Sequence, residues 1–359
     1  MTEQLKLKLN DSKATRWGAL VIVAFTMMAA YYVNDVVAPL KTMLETDLAW
    51  SSTDFGFFTG GYSFLNVFFL MLIWGGLILD RFGIRFTGKL ATILMVGGTA
   101  LEYYAMTGLA GADATLFGIN EIFGYKTGVF VAFAGYSIFG VGAEVAGITV
   151  SKIIAKWFKG KELATAMGVQ VALARIGSQA GYAVAIPLAR AFGISTPVLL
   201  GLVLLLGGMI AFFIFAVMDK KLDKQMEAAA IAAGTEDEEE KFSFKDVKNI
   251  LVNPGFWLIA LLCVLFYSCV FPFQKFASEL MIIKYGINEN VAGTFAGLPA
   301  LGALILTPVF GGFIDKRGKS ASIMLLGSAM LICVHFIYAI PDINYWLVAI
   351  VLMIILGIA

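Results

Sequence analysis

The chain has 359 residues, of which 60% are hydrophobic and only 14% are charged, and its mean hydropathy is +0.86. Soluble domains carry about 25% charged residues, so this composition excludes a soluble globular protein and predicts an all-α polytopic protein embedded in the lipid bilayer. The net charge of +1 supplies no basic field for phosphate groups, which argues against a nucleic-acid partner.

Apolar runs long enough to cross a bilayer recur along the whole chain. Basic residues crowd alternate connections between these runs, and the positive-inside rule places those connections and the N-terminus in the cytoplasm. We predict ten spans, the last of which is cut short: residues 17–40, 53–79, 86–108, 126–151, 163–189, 196–218, 255–283, 291–314, 321–340 and 345–359.

One long hydrophilic connection, residues 219–250, separates the first six spans from the rest. Its acid run, Glu236 to Glu240, is typical of a solvated tether. We therefore predict a six-helix bundle over residues 1–218, a cytoplasmic central loop over the hydrophilic connection, and an incomplete second bundle of about four helices over residues 251–359.

A short motif occurs once in each predicted half, after the second span and after the eighth. Both copies read G-x-x-x-D-[RK]-x-G and are followed by a base. We interpret them as tight cytoplasmic turns in which glycine permits close helix approach, while the acid pairs with a base or caps a helix. Breaking these pairs would let the two halves rock. The predicted gating residues are Gly76, Asp80, Arg81, Gly83 and Arg85 in the first copy and Gly311, Asp315, Lys316, Gly318 and Lys319 in the second.

Two opposite charges are predicted to lie near the middle of the bilayer. Glu144 and Arg175 flank a basic turn, and at about 1.5 Å of rise per residue both lie roughly 15–20 Å from it. Charges at this depth mark a site unless they face a partner. In one interpretation Arg175 binds a carboxylate and Glu144 binds an ammonium group. In the other, the two side chains only pair with each other and hold their helices together.

Three further charges are candidates for the same site. Lys275 and Glu279 are four residues apart on one face of the seventh span, so they either bind a substrate or form an ion pair in a wet vestibule. Asp35 lies near the outer end of the first span and is either a substrate ligand or an interfacial acid. We interpret Glu102 as interfacial.

The paired motifs and the division into halves resemble the major facilitator superfamily, whose transporters alternate access between two pseudo-symmetric six-helix bundles. WFKGKEL at 157–163, ARIGS at 174–178 and Gly-x-Gly-x-Glu at 140–144 resemble more narrowly the lysosomal dipeptide uniporter branch and its bacterial relatives. The resemblance implies a major facilitator fold, here truncated after about ten helices, and uniport without proton coupling.

The leading functional prediction is an alternating-access transporter that moves dipeptides by facilitated uniport. One alternative is an organic-anion exchanger of the oxalate–formate or monocarboxylate type, which would use Arg175 and Lys275 as a basic pair. Another is a membrane scaffold that transports nothing. Because the chain has no H-E-x-x-H or G-x-S-x-G motif, we predict no enzyme activity, no cofactor and no metal. We expect a monomer in the inner (cell) membrane of a bacterium. An additional accessory subunit is compatible with this expectation.

Overall fold

The computed structural model describes residues 8–111, 114–233, 251–306 and 320–359. These residues are almost entirely helical, with one β-hairpin formed by β1 (Glu121–Ile122) and β2 (Tyr125–Lys126). The helices are α1 (Lys13–Val36), α2 (Lys41–Asp47), α3 (Ser52–Phe68), α4 (Met71–Thr107), α5 (Thr127–Trp157), α6 (Leu163–Phe192), α7 (Thr196–Ala233), α8 (Pro254–Ile283), α9 (Glu289–Ala296), α10 (Ser320–Ala339) and α11 (Trp346–Ile358). A 3-10 turn, Ala38–Leu40, joins α1 to α2, and residues 298–306 extend α9 after a break at position 297.

Most of these helices are long and apolar enough to cross a membrane. Within the described ranges six pass this test singly, and α3 with α4 pass it as a pair bent by 58°. The remaining two predicted spans, 163–189 and 345–359, coincide with α6 and α11. The prediction of an all-α polytopic membrane fold is therefore confirmed. The six single spans are Lys13–Asp47, Thr127–Trp157, Thr196–Ala229, Pro254–Ile283, Glu289–Leu306 and Ala321–Ala339.

The helical run from α3 through α4 is broken at two places. Leu70 adopts φ 52° and ψ 38° between the two helices, and Gly83 adopts φ 75° and ψ 173° inside α4. The break at Gly83 lies in the turn predicted between the second and third spans, and it falls in a region of backbone conformation that only glycine adopts readily. The break at Leu70 was not predicted.

The end of α7 also differs from the sequence prediction. The helix continues through Ala233, so the first part of the predicted central loop, residues 219–233, is helical. Its polar composition ends the membrane span without ending the helix, because lysine and glutamate are good helix formers in water. The remainder of that loop, 234–250, lies outside the described residues.

Two hydrophobic cores hold the described helices together. The first contains buried residues between Ala19 and Leu222, and the second contains mainly residues between Ala277 and Leu356. We call α1 to α7 the first half and α8 to α11 the second half. Tyr182 of the first half packs into the second core, so the halves are joined by apolar contact as well as by charge.

The two ends of the helix bundle carry different features. At the end that we call the N-terminal end, Arg16 donates to Glu162 at 2.7 Å and Lys161 donates to Asp11 at 2.6 Å. These bonds tie the start of α1 to the α5–α6 connection, and the hydrogen bond from Lys161 holds the pKa of Asp11 below its ordinary value. At the opposite end, which we call the hairpin end, Lys126 of β2 donates to the α2–α3 connection.

Candidate functional site

A cavity of about 530 Å³ lies between the two halves. Its walls come from α1, α3 and α5 of the first half and from α8 of the second. Only two of the lining residues are charged, Glu144 and Lys275, and most of the others are apolar or small. A mainly apolar space with few polar groups, within the range of about 300–1,000 Å³, is typical of a small-molecule site. The lining residues are Met27, Ala30, Tyr31, Asn34, Gly56, Thr59, Gly60, Tyr62, Ser63, Ala143, Glu144, Gly147, Phe271, Pro272, Lys275 and Phe276.

Glu144 presents an acid to this cavity from α5. Its neighbours on the same wall, Ala143 and Gly147, are small and leave the carboxylate accessible. The hydroxyl of Tyr62 donates to Glu144 Oε1 at 2.8 Å. Within the described part of the chain, no lysine or arginine lies within 4 Å of this carboxylate. Glu144 is therefore oriented by a neutral donor and keeps its charge uncompensated.

Arg175 lies on α6, behind Tyr31. Its guanidinium carbon is 5.8 Å from the centre of the Tyr31 ring, which itself lines the cavity. No carboxylate among the described residues lies within 4 Å of Arg175. The interpretation in which Arg175 and Glu144 only pair with each other therefore does not describe this structure. Arg175 thus lies beside the cavity wall formed by Tyr31, and it is not among the residues that line the cavity.

Lys275 reaches from α8 across to α1. Its ammonium donates to the Asn34 carbonyl at 2.5 Å and to the Tyr136 hydroxyl at 3.1 Å, and it lies 3.6 Å from Asp35 Oδ1. The amide of Asn34 also donates to Asp35 at 2.8 Å. Lys275 and Asp35 thus neutralise each other, and their contact links the two halves at the wall of the cavity.

Glu279 makes a second link between the halves, closer to the hairpin end. Its carboxylate accepts from Lys41 at 2.5 Å, and the same ammonium also donates to Glu45 at 2.7 Å and to Ser52 at 2.8 Å. The Lys41 side chain is only 2% exposed. The pairing of Glu279 with Lys275, one of the two interpretations of these residues, is absent among the described residues, because each side chain contacts a partner in the first half.

The first copy of the repeated motif lies at the N-terminal end. Asp80 accepts from Lys152 of α5 at 2.9 Å. Arg85 contacts two acids of α7, Asp219 at 3.1 Å and Asp223. This network is shared with Lys156, which donates to the same two acids. The motif thus joins α4, α5 and α7 inside the first half. The second copy, which comprises Gly311, Asp315, Lys316, Gly318 and Lys319, lies outside the described residues.

The two glycines and the remaining arginine of this copy differ in their surroundings. A Cβ atom on Gly76 would meet nothing within 4 Å, so the expected close helix approach at this residue is wrong. The close contact belongs to Gly75, where a Cβ would lie 2.6 Å from Val145 Cγ2. Gly83 supplies the turn conformation described above. Arg81 lies 5.5 Å from the Phe82 ring and has no acid within 4 Å in the described ranges.

A family model described as the Major Facilitator Superfamily matches residues 19–359. The chain belongs to this superfamily. It is accordingly a multi-pass membrane transporter, and its expected contacts with a small solute and with the lipid bilayer follow from that membership. The family and the matching relatives are transporters and not enzymes.

Several curated proteins are similar to this superfamily member. The lysosomal dipeptide transporter MFSD1 of Homo sapiens is 27% identical over 348 residues, which make up 93% of this chain and 68% of that protein. The protein of the same name from Pongo abelii is also 27% identical, over 91% of this chain and 67% of its own length. The Gallus gallus protein reaches 31% identity over 63% of this chain and 51% of its own length.

Solved structures support the fold. The xylose transporter XylE from E. coli, in a partially occluded inward-open conformation, has a TM-score of 0.63 at 16% identity and covers 95% of this chain and 83% of its own. Tetrameric PepTSo2 has a TM-score of 0.63 at 12% identity and covers 95% of this chain and 81% of its own. At these identities the likeness shows the major facilitator fold alone.

Two buried charged residues, Lys41 and Glu102, were not predicted from the sequence. Lys41 follows the first predicted span and received no role, because its partner Glu279 lies 238 residues away and no local signal marks the pair. Glu102, interpreted as interfacial, is fully buried in α4, and neither of its carboxylate oxygens has a hydrogen-bond partner among the described residues. Its signal was Gly98, one turn earlier on the same helix face, where α4 touches α5.

Proposed function

We propose that this chain transports dipeptides by facilitated uniport, with Arg175 holding the carboxyl end of the substrate and Glu144 holding its amino end. The observation that carries the proposal is an acid that lines the cavity, Glu144, and a base beside its wall, Arg175, neither of which has a counterion within 4 Å in the described residues. Both side chains are half-buried within the helical membrane bundle, where a charge is costly unless it faces a partner or a wet cavity, so each of them favours a ligand group of opposite sign. A dipeptide zwitterion carries both groups.

The similarity to proteins named lysosomal dipeptide transporters supports the same substrate class. The organic-anion alternative has less support, because it needs Lys275 as a second free base. That ammonium already contacts Asp35 and the Asn34 carbonyl. We therefore assign Lys275, Asp35 and Glu279 to contacts between the halves in this conformation, and the two uncompensated charges to the substrate.

The orientation and the cell compartment are part of the proposal. Basic residues around the N-terminal end support its placement in the cytoplasm. We infer an inner (cell) membrane protein of a bacterium that works as a monomer, with one bundle at 1–218, a cytoplasmic connection at 219–250 and a second bundle at 251–359. Alternating access would expose the cavity to one side of the membrane at a time.

The direct test is counterflow of a labelled dipeptide in proteoliposomes, combined with thermal-shift measurements of binding. Arg175→Ala should weaken dipeptide binding roughly tenfold to a hundredfold, because a hydrogen bond to a charged group contributes about 1.5–3 kcal/mol. Arg175→Lys should restore only part of the affinity, since lysine lacks the planar fork that binds a carboxylate at two points.

Glu144→Gln separates the zwitterion proposal from anion exchange. It should weaken free dipeptides more than the same dipeptides with an acetylated amino group. Glu289→Gln, at an exposed position outside the cavity, is the control and should change neither. If Arg175→Ala leaves the uptake of every dipeptide intact, the assignment of the substrate site is wrong. If Glu144→Gln affects free and blocked peptides alike, the amino-end contact is wrong.

A further inference from the structure

One row of residues on α3 contributes small side chains to the cavity, beside Tyr62, the one large residue that the same helix adds to the lining. Gly56, Thr59, Gly60 and Ser63 are spaced by three and four residues, so they line up along one face of the helix, which we call the small face. A Cβ atom on Gly56 or on Gly60 would meet nothing within 4 Å. These two glycines are therefore not required for helix packing. They leave open space on the cavity side of α3.

The wall that α8 contributes is aromatic and belongs to the second half. Phe271, Pro272 and Phe276 of α8 face the cavity. The Phe276 ring packs edge-on against Phe55 of α3, with centroids 5.5 Å apart. The Lys41 ammonium, which holds Glu279, lies 5.8 Å from the centre of the same ring. Contacts from both halves thus fix this wall at a defined separation from the small face of α3.

The space between the two walls lies next to Glu144, the acid of the site. Tyr62 precedes Ser63 on α3, and its hydroxyl binds Glu144. The carboxylate is therefore held next to the small face. Arg175 of α6 lies next to Tyr31 of α1, with its guanidinium carbon 5.8 Å from the centre of the ring. A ligand whose amino group binds Glu144 has its first side chain beside α3, whereas its carboxylate points away toward α6.

We propose that the space between the small face of α3 and the aromatic wall of α8 is the pocket for the side chain of the amino-terminal residue of the dipeptide, an inference that rests on the proposed function. Gly56 and Gly60 set the size of this pocket, and Phe271 and Phe276 supply its apolar surface. The pocket accepts large apolar side chains because neither glycine has a side chain to occupy the open space beside it. Glycine at these two positions thus determines a broad specificity at the first residue of the substrate.

The test fills the pocket step by step. Gly60→Ala, Gly60→Val and Gly60→Leu are compared with the same three substitutions at Gly97, which also has nothing within 4 Å of its Cβ position but lies on the exposed surface of α4. Binding of glycyl-glycine, phenylalanyl-glycine and glycyl-phenylalanine is measured by thermal shift, and transport is measured by counterflow. If the valine and leucine substitutions reduce the yield of folded protein, the comparison of the three peptides is made with Gly60→Ala.

We expect Gly60→Leu to weaken phenylalanyl-glycine at least tenfold and glycyl-glycine less than threefold, since adding or removing a single methylene in an apolar pocket changes selectivity by about 10-fold to 200-fold. Glycyl-phenylalanine should be weakened less than phenylalanyl-glycine. The valine and alanine variants should show the same order with smaller effects. The three variants at Gly97 should leave all affinities unchanged.

Equal weakening of glycyl-glycine and phenylalanyl-glycine would overturn the pocket assignment, and so would greater weakening of glycyl-phenylalanine than of phenylalanyl-glycine. In both cases the proposed function stands, because the unsubstituted chain still exchanges dipeptides. If the unsubstituted chain neither binds nor exchanges any of the three peptides, the proposed function fails and the pocket assignment fails with it.

Discussion

Individual charges in this protein differ mainly in whether they have a partner. Lys41 is almost completely buried but is compensated by Glu279 and Glu45. Glu102 is equally buried and has no partner in the described part of the chain. A polar atom buried without a hydrogen bond costs about 1–3 kcal/mol. Glu102 therefore lowers the stability of the fold, whereas Glu279 supports it by compensating Lys41.

Glu102→Met should therefore stabilise the folded protein by about 1–3 kcal/mol, because it removes two unsatisfied oxygens and keeps a side chain of similar length. Glu279→Met, the matched control, should destabilise it, since Lys41 would lose one of its two acids. Both effects are measured as melting temperatures in detergent. A lower melting temperature for Glu102→Met would show that its carboxyl group has a partner, such as a buried water molecule.

The packing of the helices depends on where glycine occurs on each helix face. A Cβ on Gly98 of α4 would lie 2.5 Å from the Gly135 carbonyl oxygen and 2.9 Å from the Phe139 Cα of α5. The neighbouring Gly97 faces open space. The backbones of α4 and α5 are thus in direct contact along one face, as small residues permit in membrane helices.

Gly98→Ala should push α4 and α5 apart and lower stability by about 1–3 kcal/mol, as expected for overpacking of a close contact. Gly97→Ala should be neutral or stabilising by up to about 1 kcal/mol, because alanine is the better helix former. Thermal melting of the two variants, purified side by side, measures the difference. Equal melting temperatures would mean that α4 and α5 are not in direct backbone contact.

Contacts between the described parts of the two halves lie at the hairpin end of the molecule. One ion pair, Lys41 to Glu279, is buried on the lysine side, whereas another, Arg190 to Glu289, joins side chains that are both 43% exposed. Exposed ion pairs contribute about 0–1 kcal/mol, and breaking a buried pair has a larger effect. The buried pair should therefore dominate the balance between conformations.

Glu279→Gln should open the hairpin end and shift the ratio of open to closed molecules roughly tenfold, which corresponds to about 1.4 kcal/mol. Glu289→Gln should shift it much less. Distances between spin labels at Asp47 of the first half and Ile283 of the second, both exposed, report this ratio. An unchanged distance distribution for Glu279→Gln, or an equal shift for both variants, would contradict a gating role for the buried pair.

The orientation of the molecule is tested at the central connection. A cysteine at Thr235, in a chain whose exposed cysteines Cys263, Cys269 and Cys333 are replaced, should react with an impermeant reagent only in permeabilised cells or inverted vesicles. A cysteine at Phe117, which is 95% exposed next to the hairpin, should react from outside intact cells. The reverse pattern would invert the proposed topology.

From the sequence alone, the helical membrane class and the spans were predictable. Hydropathy is local, and the bilayer forces each apolar segment of sufficient length to satisfy its own backbone as a helix. The turn at Gly83 was predictable for the same local reason, because its conformation depends on one residue. The repeated motif and the short sequences around Glu144 and Arg175 were enough to indicate the superfamily.

Only the tertiary structure decided which charges meet. Lys275 lies 241 residues from the Asn34 carbonyl that it contacts, and Glu279 lies 238 residues from Lys41. No periodicity within α8 predicts such partners, because a side chain on a helix has neighbours on other helices as well as at i+4. The burial of Glu102 was not predictable either, because it depends on the packing of α4 against α5. Nor was it predictable that Gly75 and not the adjacent Gly76 makes the close helix contact, because the two glycines lie on different faces of α4. Long-range packing of the helices around two cores determines which of the described acids and bases have a partner and which do not.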